Sequence, residues 1–97
     1  MKTNLKSMHT REELKTIAIS YLEKTYSELI EKIVNAMLDR AENGYECLYS
    51  YFVNNEDEAR AMARYFEAKG FKTESSWLNF DEEKGESIDW YVNIFWW

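Results

Sequence analysis

The sequence predicts an α+β fold, with two or three helices packed on one face of a three-stranded, mainly antiparallel sheet. Three features support this prediction: apolar residues recur with helical spacing over residues 11–42, residues 45–53 are rich in aromatic side chains, and residues 87–97 alternate between two apolar faces. The predicted order is helix, a second helix if the first is broken, strand, helix, strand, strand. The length of 97 residues suits one domain, predicted over residues 1–97.

The first helix is predicted to follow a flexible lead-in, residues 1–9. Thr10 and Glu13 have the spacing of a capping box, in which each side chain accepts a hydrogen bond from the backbone N–H of the other residue. This pair predicts that the helix begins at residue 11.

Two apolar stripes run along residues 11–42, on different sides of the helical wheel. The first is Leu14, Ile17, Ala18, Tyr21 and Leu22, and the second is Leu29, Ile30, Ile33, Val34, Met37, Leu38 and Ala41. A straight helix on a small core cannot bury both stripes equally. The pattern leaves two alternatives: one kinked helix, or two helices with a break near residues 25–27, where Thr25 and Glu28 would form a second capping box. Gly44 is predicted to end the segment.

The first strand is predicted over residues 45–53. Side chains alternate between the two faces of a strand. Regular alternation places Leu48 and Phe52 on one face, expected to meet the helices, and Tyr49 and Tyr51 on the other.

The next helix is predicted over residues 55–69. Asn55 suits the N-cap position, with Glu58 at the capping-box position, and Gly70 can adopt the left-handed conformation that ends a helix.

A hairpin is predicted from residues 71–80 and 87–97 around the turn sequence DEEKGE. In its second strand, Ile88, Trp90, Val92 and Ile94 alternate with Tyr91, Phe95 and Trp97. A strand that is apolar on both faces is usually central in its sheet. The last strand is therefore predicted to lie between the other two strands and antiparallel to each.

An aromatic sheet face is the main candidate binding surface. The face away from the helices would carry Tyr49, Tyr51, Tyr91, Phe95 and Trp97. Exposed apolar patches of this kind often mark interfaces, and tyrosine and tryptophan suit them because they combine a large apolar area with a polar tip. The alternative is that the N-terminal helices cover this face, since the sequence does not decide which face they pack on.

The charge distribution favours a basic protein partner. The net charge is −6, with five Lys and Arg against three Asp and Glu in residues 1–24, and seven against fifteen in residues 25–97. Such an acidic body repels phosphates, so no direct contact with nucleic acid is expected. The acids that could meet a basic surface are Glu56, Asp57 and Glu58 at a helix start, and Asp81, Glu82, Glu83 and Glu86 in the hairpin turn.

Catalytic, cofactor and metal sites are not predicted. His9 and Cys47 are the single histidine and cysteine, too few for a zinc site or a nucleophile–His–acid arrangement. The expectation is a protein that is not an enzyme and needs no cofactor. Neither a signal peptide nor a membrane-spanning segment is predicted, so a cytoplasmic location is expected.

The strand CLYSYF, the helix EDEARAMARYFEAKGF and the closing strand with Trp90 carry a family resemblance. Through them, residues 47–96 resemble the family called regulator of ribonuclease E activity B. The resemblance implies a strand–helix–strand–strand layout and, because members of that family inhibit an RNA-degrading enzyme, binding to a protein of that kind. The short, proline-free sequence also resembles small phage-encoded inhibitor proteins.

These observations together predict a non-enzymatic protein-binding module, an inhibitor of a nucleic-acid-processing enzyme. The alternative is a self-associating structural protein, such as a homodimer, that uses the open sheet face or the edge strand at residues 45–53.

Overall fold

The computed structural model describes residues 10–97, apart from the side chains of residues 79–81 and 86–88. Within this range the elements follow the predicted order. They are α1 (Arg11–Thr25), α2 (Ser27–Glu42), β1 (Cys47–Val53), α3 (Glu56–Ala68), β2 (Lys72–Asp81) and β3 (Glu86–Phe95). The predicted lead-in, residues 1–9, lies outside the described residues.

The start of α1 is capped as predicted. The Glu13 N–H donates to Thr10 Oγ1 at 3.1 Å, and the Thr10 N–H donates to Glu13 Oε1 at 2.7 Å. This reciprocal pair satisfies two backbone donors that the first helical turn would otherwise leave without partners.

The segment over residues 11–42 is two helices, and Tyr26 is the junction between them. Its backbone angles, φ −117° and ψ 29°, interrupt the helical geometry. The predicted second capping box does not form, because the N-cap of α2 is Tyr26 and no side chain caps it. Helical hydrogen bonds continue across the junction instead: the Tyr26 N–H donates to the Leu22 carbonyl and the Ile30 N–H to the Tyr26 carbonyl.

Asn55 and Gly70 end α3 as predicted, but Glu58 accepts from the Asn54 N–H rather than from the N-cap Asn55 N–H that a capping box would use. Asn55 Oδ1 accepts from the Glu58 N–H at 2.9 Å at the start of the helix. At its end Gly70 has φ +101°, and the Phe71 N–H donates back to the Phe66 carbonyl at 3.0 Å. The Phe66 and Phe71 rings lie 6.1 Å apart, which is the apolar contact that commonly accompanies this helix end.

The sheet has the order β1-β3-β2, with both outer strands antiparallel to β3, as predicted. Helix α3 packs against all three strands, α2 packs on β1, and α1 packs on α2 and α3. The helices therefore share one side of the sheet, which we call the helix face, and the opposite side is the open face.

The core lies between the helix face and the helices. Its largest fully buried side chains are Ile33 of α2, Met62 of α3, and Val92 and Ile94 of β3. Two of the four come from the central strand, consistent with its predicted position.

A β-bulge in β1 overturns part of the predicted alternation. The pairing register with β3 shifts between Leu48 and Tyr51, and Ser50 has φ +54°, in the left-handed region. An extra residue reverses the facing of every side chain beyond it. Tyr51, predicted on the open face, therefore packs against the core, whereas Phe52, predicted to face the helices, is 53% exposed on the open face.

The first helix is only partly covered. Its side bearing Ile19 and Leu22 packs against the core. Leu14, Ile17 and Tyr21 of the predicted apolar stripe are instead 56%, 53% and 64% exposed. The reason is geometric: α1 packs on α2 and α3 from one side, and the stripe lies on another side of the helix.

Polar contacts at Glu23 hold α1 against α3. Tyr65 Oη donates to Glu23 Oε2 at 2.8 Å, and Lys69 Nζ lies 3.5 Å from the same oxygen. Lys69 also lies 5.5 Å from the centre of the Tyr65 ring. Burial of the phenol, together with the hydrogen bond to Glu23 and its negative charge, raises the pKa of Tyr65 to about 12.

Replacing Tyr65 by Phe should lower the free energy of unfolding by about 1 kcal/mol at neutral pH, because the Glu23 carboxylate loses a donor. The raised pKa sets the pH dependence. The neutral phenol stabilises the fold fully below its ordinary pKa of 10.0, and this contribution is lost as pH rises toward 12. Urea unfolding of wild type and Tyr65→Phe at pH 7 and at pH 11 measures both effects, with Tyr45→Phe as the control. If the difference in free energy of unfolding between wild type and Tyr65→Phe did not shrink at pH 11, the role assigned to the phenol would be contradicted.

Candidate functional site

Four aromatic rings form two cross-strand pairs on the open face. Tyr49 and Phe95 have ring centres 6.4 Å apart with planes at 73°, and Phe52 and Tyr91 have centres 6.0 Å apart with planes at 69°. Both are edge-to-face contacts, an arrangement that aromatic pairs favour. We call these four residues the aromatic face.

The aromatic face is accessible because the helices lie on the other side of the sheet. Tyr49 is 61% exposed and Phe52 53% exposed, whereas Tyr91 and Phe95 on the central strand are half-buried. Three of its members, Tyr49, Tyr91 and Phe95, were predicted to bind a partner. The fourth, Phe52, takes the place predicted for Tyr51, because of the bulge.

Asn93 lies between the two ring pairs along β3 and is 4% exposed. Its Oδ1 accepts from the Ser50 N–H at 2.6 Å, and its Nδ2 donates to Glu74 Oε1 at 3.3 Å. The first bond gives a partner to a backbone donor in the bulge, and the second connects β3 to β2. Asn93 thus stabilises the bulge that turns Phe52 outward.

The β2 side of the open face is chemically mixed, with basic Lys72 paired with Phe95, acidic Glu74, polar Ser76 and apolar Leu78. Directly paired residues share a face in an antiparallel sheet. The register pairs Glu74 with Asn93, Ser76 with Tyr91 and Leu78 with Asp89. Alternation along the sequence does not show that Glu74, Leu78 and Asp89 lie beside the aromatic rings, because this depends on the strand register.

The three acids at the start of α3 differ in their local roles. Glu56 forms an ion pair with Arg60, with Oε2 and Nη2 2.9 Å apart. Glu58 Oε1 accepts from the Asn54 N–H at 2.9 Å, which makes it part of the helix cap. Asp57 is exposed in the same turn. Acids at this position also interact favourably with the positive end of the helix dipole.

The hairpin turn brings a second acidic group to the same end of the sheet. Glu82 and Glu83 are exposed in the turn, and the side chains of Asp81 and Glu86 lie outside the described set. Val53, the last residue of β1, pairs with Trp90, four positions from the start of β3. The start of α3 and the hairpin turn therefore lie at one end of the sheet, beside the Phe52–Tyr91 pair, and we call this the acidic end.

Trp97, also predicted on the binding face, lies beyond the end of β3 and is 88% exposed. Its neighbour Trp96 is half-buried, and Trp96 Nε1 donates to the Tyr45 carbonyl at 3.1 Å. Trp97 therefore extends from an anchored residue, near the Tyr49–Phe95 end of the open face.

Metal-ligating side chains do not converge in the described part of the chain. No group of three or more His, Cys, Asp and Glu residues within it could hold a metal ion. Cys47 is half-buried on β1, and His9 lies outside the described residues.

Comparison with known proteins leaves the function to be argued from the geometry of this chain. Neither a protein-family model, nor a curated protein, nor a solved structure matches it. Among residues 10–97, none of the helices combines the length and the apolar character needed to cross a membrane.

Replacing Asn93 by Ala should lower the free energy of unfolding by about 2 kcal/mol, because the Ser50 N–H loses its acceptor in a half-buried position. Urea unfolding measures the loss, and amide hydrogen exchange at Ser50 locates it. Ser76→Ala, on the same face, is the control and should change stability little. Unchanged protection of the Ser50 amide in Asn93→Ala would contradict the role assigned to Asn93.

Proposed function

We propose that this chain is a non-enzymatic protein-binding module that binds its partner through the aromatic face. The observation that carries the proposal is the pair of edge-to-face contacts, Tyr49–Phe95 and Phe52–Tyr91, on the side of the sheet that the helices leave open. Aromatic residues provide much of the binding energy at protein interfaces, and a contiguous exposed patch of them on a small domain often marks a binding surface.

The acidic end supports a partner with a basic surface. It adjoins the Phe52–Tyr91 pair, and the body of the chain over residues 25–97 carries fifteen acids against seven basic residues. Basic grooves are typical of enzymes that bind nucleic acid, since phosphates are bound by lysine and arginine. An acidic module that occupied such a groove would act as an inhibitor by excluding the nucleic acid.

The resemblance of residues 47–96 to the regulator of ribonuclease E activity B family points in the same direction. It rests on the segments that form β1, α3 and β3 here, and β1 and β3 carry the aromatic face. The proposal is thus an inhibitor of a nucleic-acid-processing enzyme that binds the enzyme rather than the nucleic acid.

The first experiment is the identification of the partner. The tagged chain is used to recover proteins from the lysate of its own cells at low and moderate salt, and the recovered proteins are identified by mass spectrometry. Recovery of one basic, nucleic-acid-processing enzyme near equal stoichiometry is the expected result. Recovery of untagged copies of the chain alone would favour the alternative, self-association.

Truncation of the aromatic face should weaken binding to that enzyme. Phe52→Ala or Tyr91→Ala should each raise the dissociation constant by about 30-fold, roughly 2 kcal/mol, since each removes a ring from the centre of the patch. Tyr45→Ala is the matched control, because Tyr45 is 55% exposed but lies outside the aromatic face. Isothermal titration calorimetry measures the constants. Equal losses for Tyr45→Ala and Phe52→Ala would contradict the proposed surface.

Charges at the acidic end should act on the rate of association. Asp57→Asn and Glu82→Gln together should lower the association rate constant about threefold at low salt and leave the dissociation rate constant nearly unchanged, because rim charges mainly steer the encounter. Phe52→Ala should instead raise the dissociation rate constant and leave the association rate constant nearly unchanged. Surface plasmon resonance over a range of salt concentrations measures both rates, and a Phe52→Ala effect confined to association would argue against an aromatic anchor.

Self-association through the β1 edge is disfavoured by the bulge. Continuous strand pairing needs a regular edge, and the irregularity between Leu48 and Tyr51 interrupts the edge of β1. Self-association through the open face is the alternative role of the aromatic rings. Substitution of Phe52 tests this alternative.

A further inference from the structure

The exposed stripe of α1 is a second apolar surface, distinct from the aromatic face. Leu14, Ile17 and Tyr21 are each more than half exposed. Their spacing, three and then four residues, places them in one line along the helix. Single exposed apolar residues are ordinary, but a line of three on one helix face is the pattern of a helix that packs against another helix.

The stripe is separate from the side of α1 that packs on its own core. With 3.6 residues per turn, the centre of the stripe lies roughly 140° around the helix from Ile19 and Leu22, the two residues that pack inward. The hydrogen bond from Tyr65 to Glu23 holds that inner side against α3. Among residues 10–97, the stripe therefore lies on the side of α1 that faces away from α3.

The charged side chains that flank the stripe indicate what kind of helix can pack against it. Glu13 and Lys24 lie on the same flank of the stripe, near its opposite ends, and both are exposed. In an antiparallel pair of identical helices, the same flank of each helix meets, with the start of one beside the end of the other. Glu13 then lies beside Lys24 of the second copy, and Lys24 beside its Glu13.

Ile17 and Tyr21 fit the same register as the two charged residues. The midpoint between Ile17 and Tyr21 and the midpoint between Glu13 and Lys24 differ by half a residue, about 0.75 Å along the helix axis. One antiparallel arrangement therefore stacks Ile17 on Tyr21 of the other copy, in both directions, and forms both ion pairs.

We infer that α1 is a self-association surface and that the chain forms a two-fold symmetric dimer through antiparallel α1 helices. The occupant is a second copy because an antiparallel pair of these helices places Glu13 beside Lys24 and Ile17 beside Tyr21. The open face lies on the other side of the sheet from the helix layer, so the dimer presents two aromatic faces. The inference does not depend on the proposed function.

The test is the concentration dependence of solution mass for the full chain, by analytical ultracentrifugation from about 5 μM to about 500 μM. Wild type should pass from monomer to dimer in this range. Ile17→Lys should raise the dimer dissociation constant at least about tenfold, because it places a charge at the centre of the stripe. Ile17 is 53% exposed, so the monomer should stay folded, and circular dichroism checks this.

Charge variants test the antiparallel register. Lys24→Glu should weaken the dimer about fivefold by placing two carboxylates beside Glu13, and adding Glu13→Lys should restore association. Lys32→Glu, the same charge change on α2, is the control and should leave association unchanged. Helicity is measured for every variant, because Glu13 also caps α1.

Phe52→Lys separates this surface from the aromatic face. The inference expects Phe52→Lys to dimerise as wild type does. A wild-type chain that stays monomeric at about 500 μM would overturn the inference. It would also be overturned if Ile17→Lys dimerised normally, or if Phe52→Lys abolished the dimer while Ile17→Lys did not.

Discussion

The bulge in β1 is the constraint on which both faces of the sheet depend. Ser50 adopts the left-handed conformation, and its N–H donates to the buried Asn93 of the central strand. This one extra residue changes the facing of everything after it, so that Leu48 and Tyr51 both point to the helices and Phe52 points away. A regular strand would have placed Phe52 in the core and Tyr51 on the open face.

The two faces of the sheet differ in how far they are covered. The helix face is closed by Ile33 and Met62 against Val92 and Ile94, and these four side chains are fully buried. The open face keeps its aromatic rings in edge-to-face pairs, which fixes their orientation before any partner binds. Preformed rings lose little conformational entropy on binding, so their apolar area is available for affinity. Helix α1 adds little to the core and keeps an apolar stripe outside, so two surfaces of different character remain open on one small domain.

Much of the fold could be predicted because its signals are local. The caps at Thr10, Asn55 and Gly70 depend on residues three or four positions away, and each forms as the spacing indicates. The central position of β3 followed from its two apolar faces. The second capping box, at Thr25, failed although it too is local, because helical hydrogen bonding continues through Tyr26 and no side-chain cap forms there.

The sequence by itself determined the order of the elements and the central place of the last strand, and it placed Tyr49, Tyr91 and Phe95 on one side of the sheet. It left open whether residues 11–42 form one kinked helix or two, and which side of the sheet the helices cover. The features that it determined depend on hydrophobic periodicity and on hydrogen bonds between near neighbours. Only the tertiary structure decided that Phe52 replaces Tyr51 on that face, and that Leu14, Ile17 and Tyr21 stay exposed. The first depends on a hydrogen bond between Ser50 and Asn93, 43 residues apart, and the second on which side of α1 meets α2 and α3. Contacts between distant residues leave no periodic signal in the chain, so alternation and helical spacing alone could not reveal them.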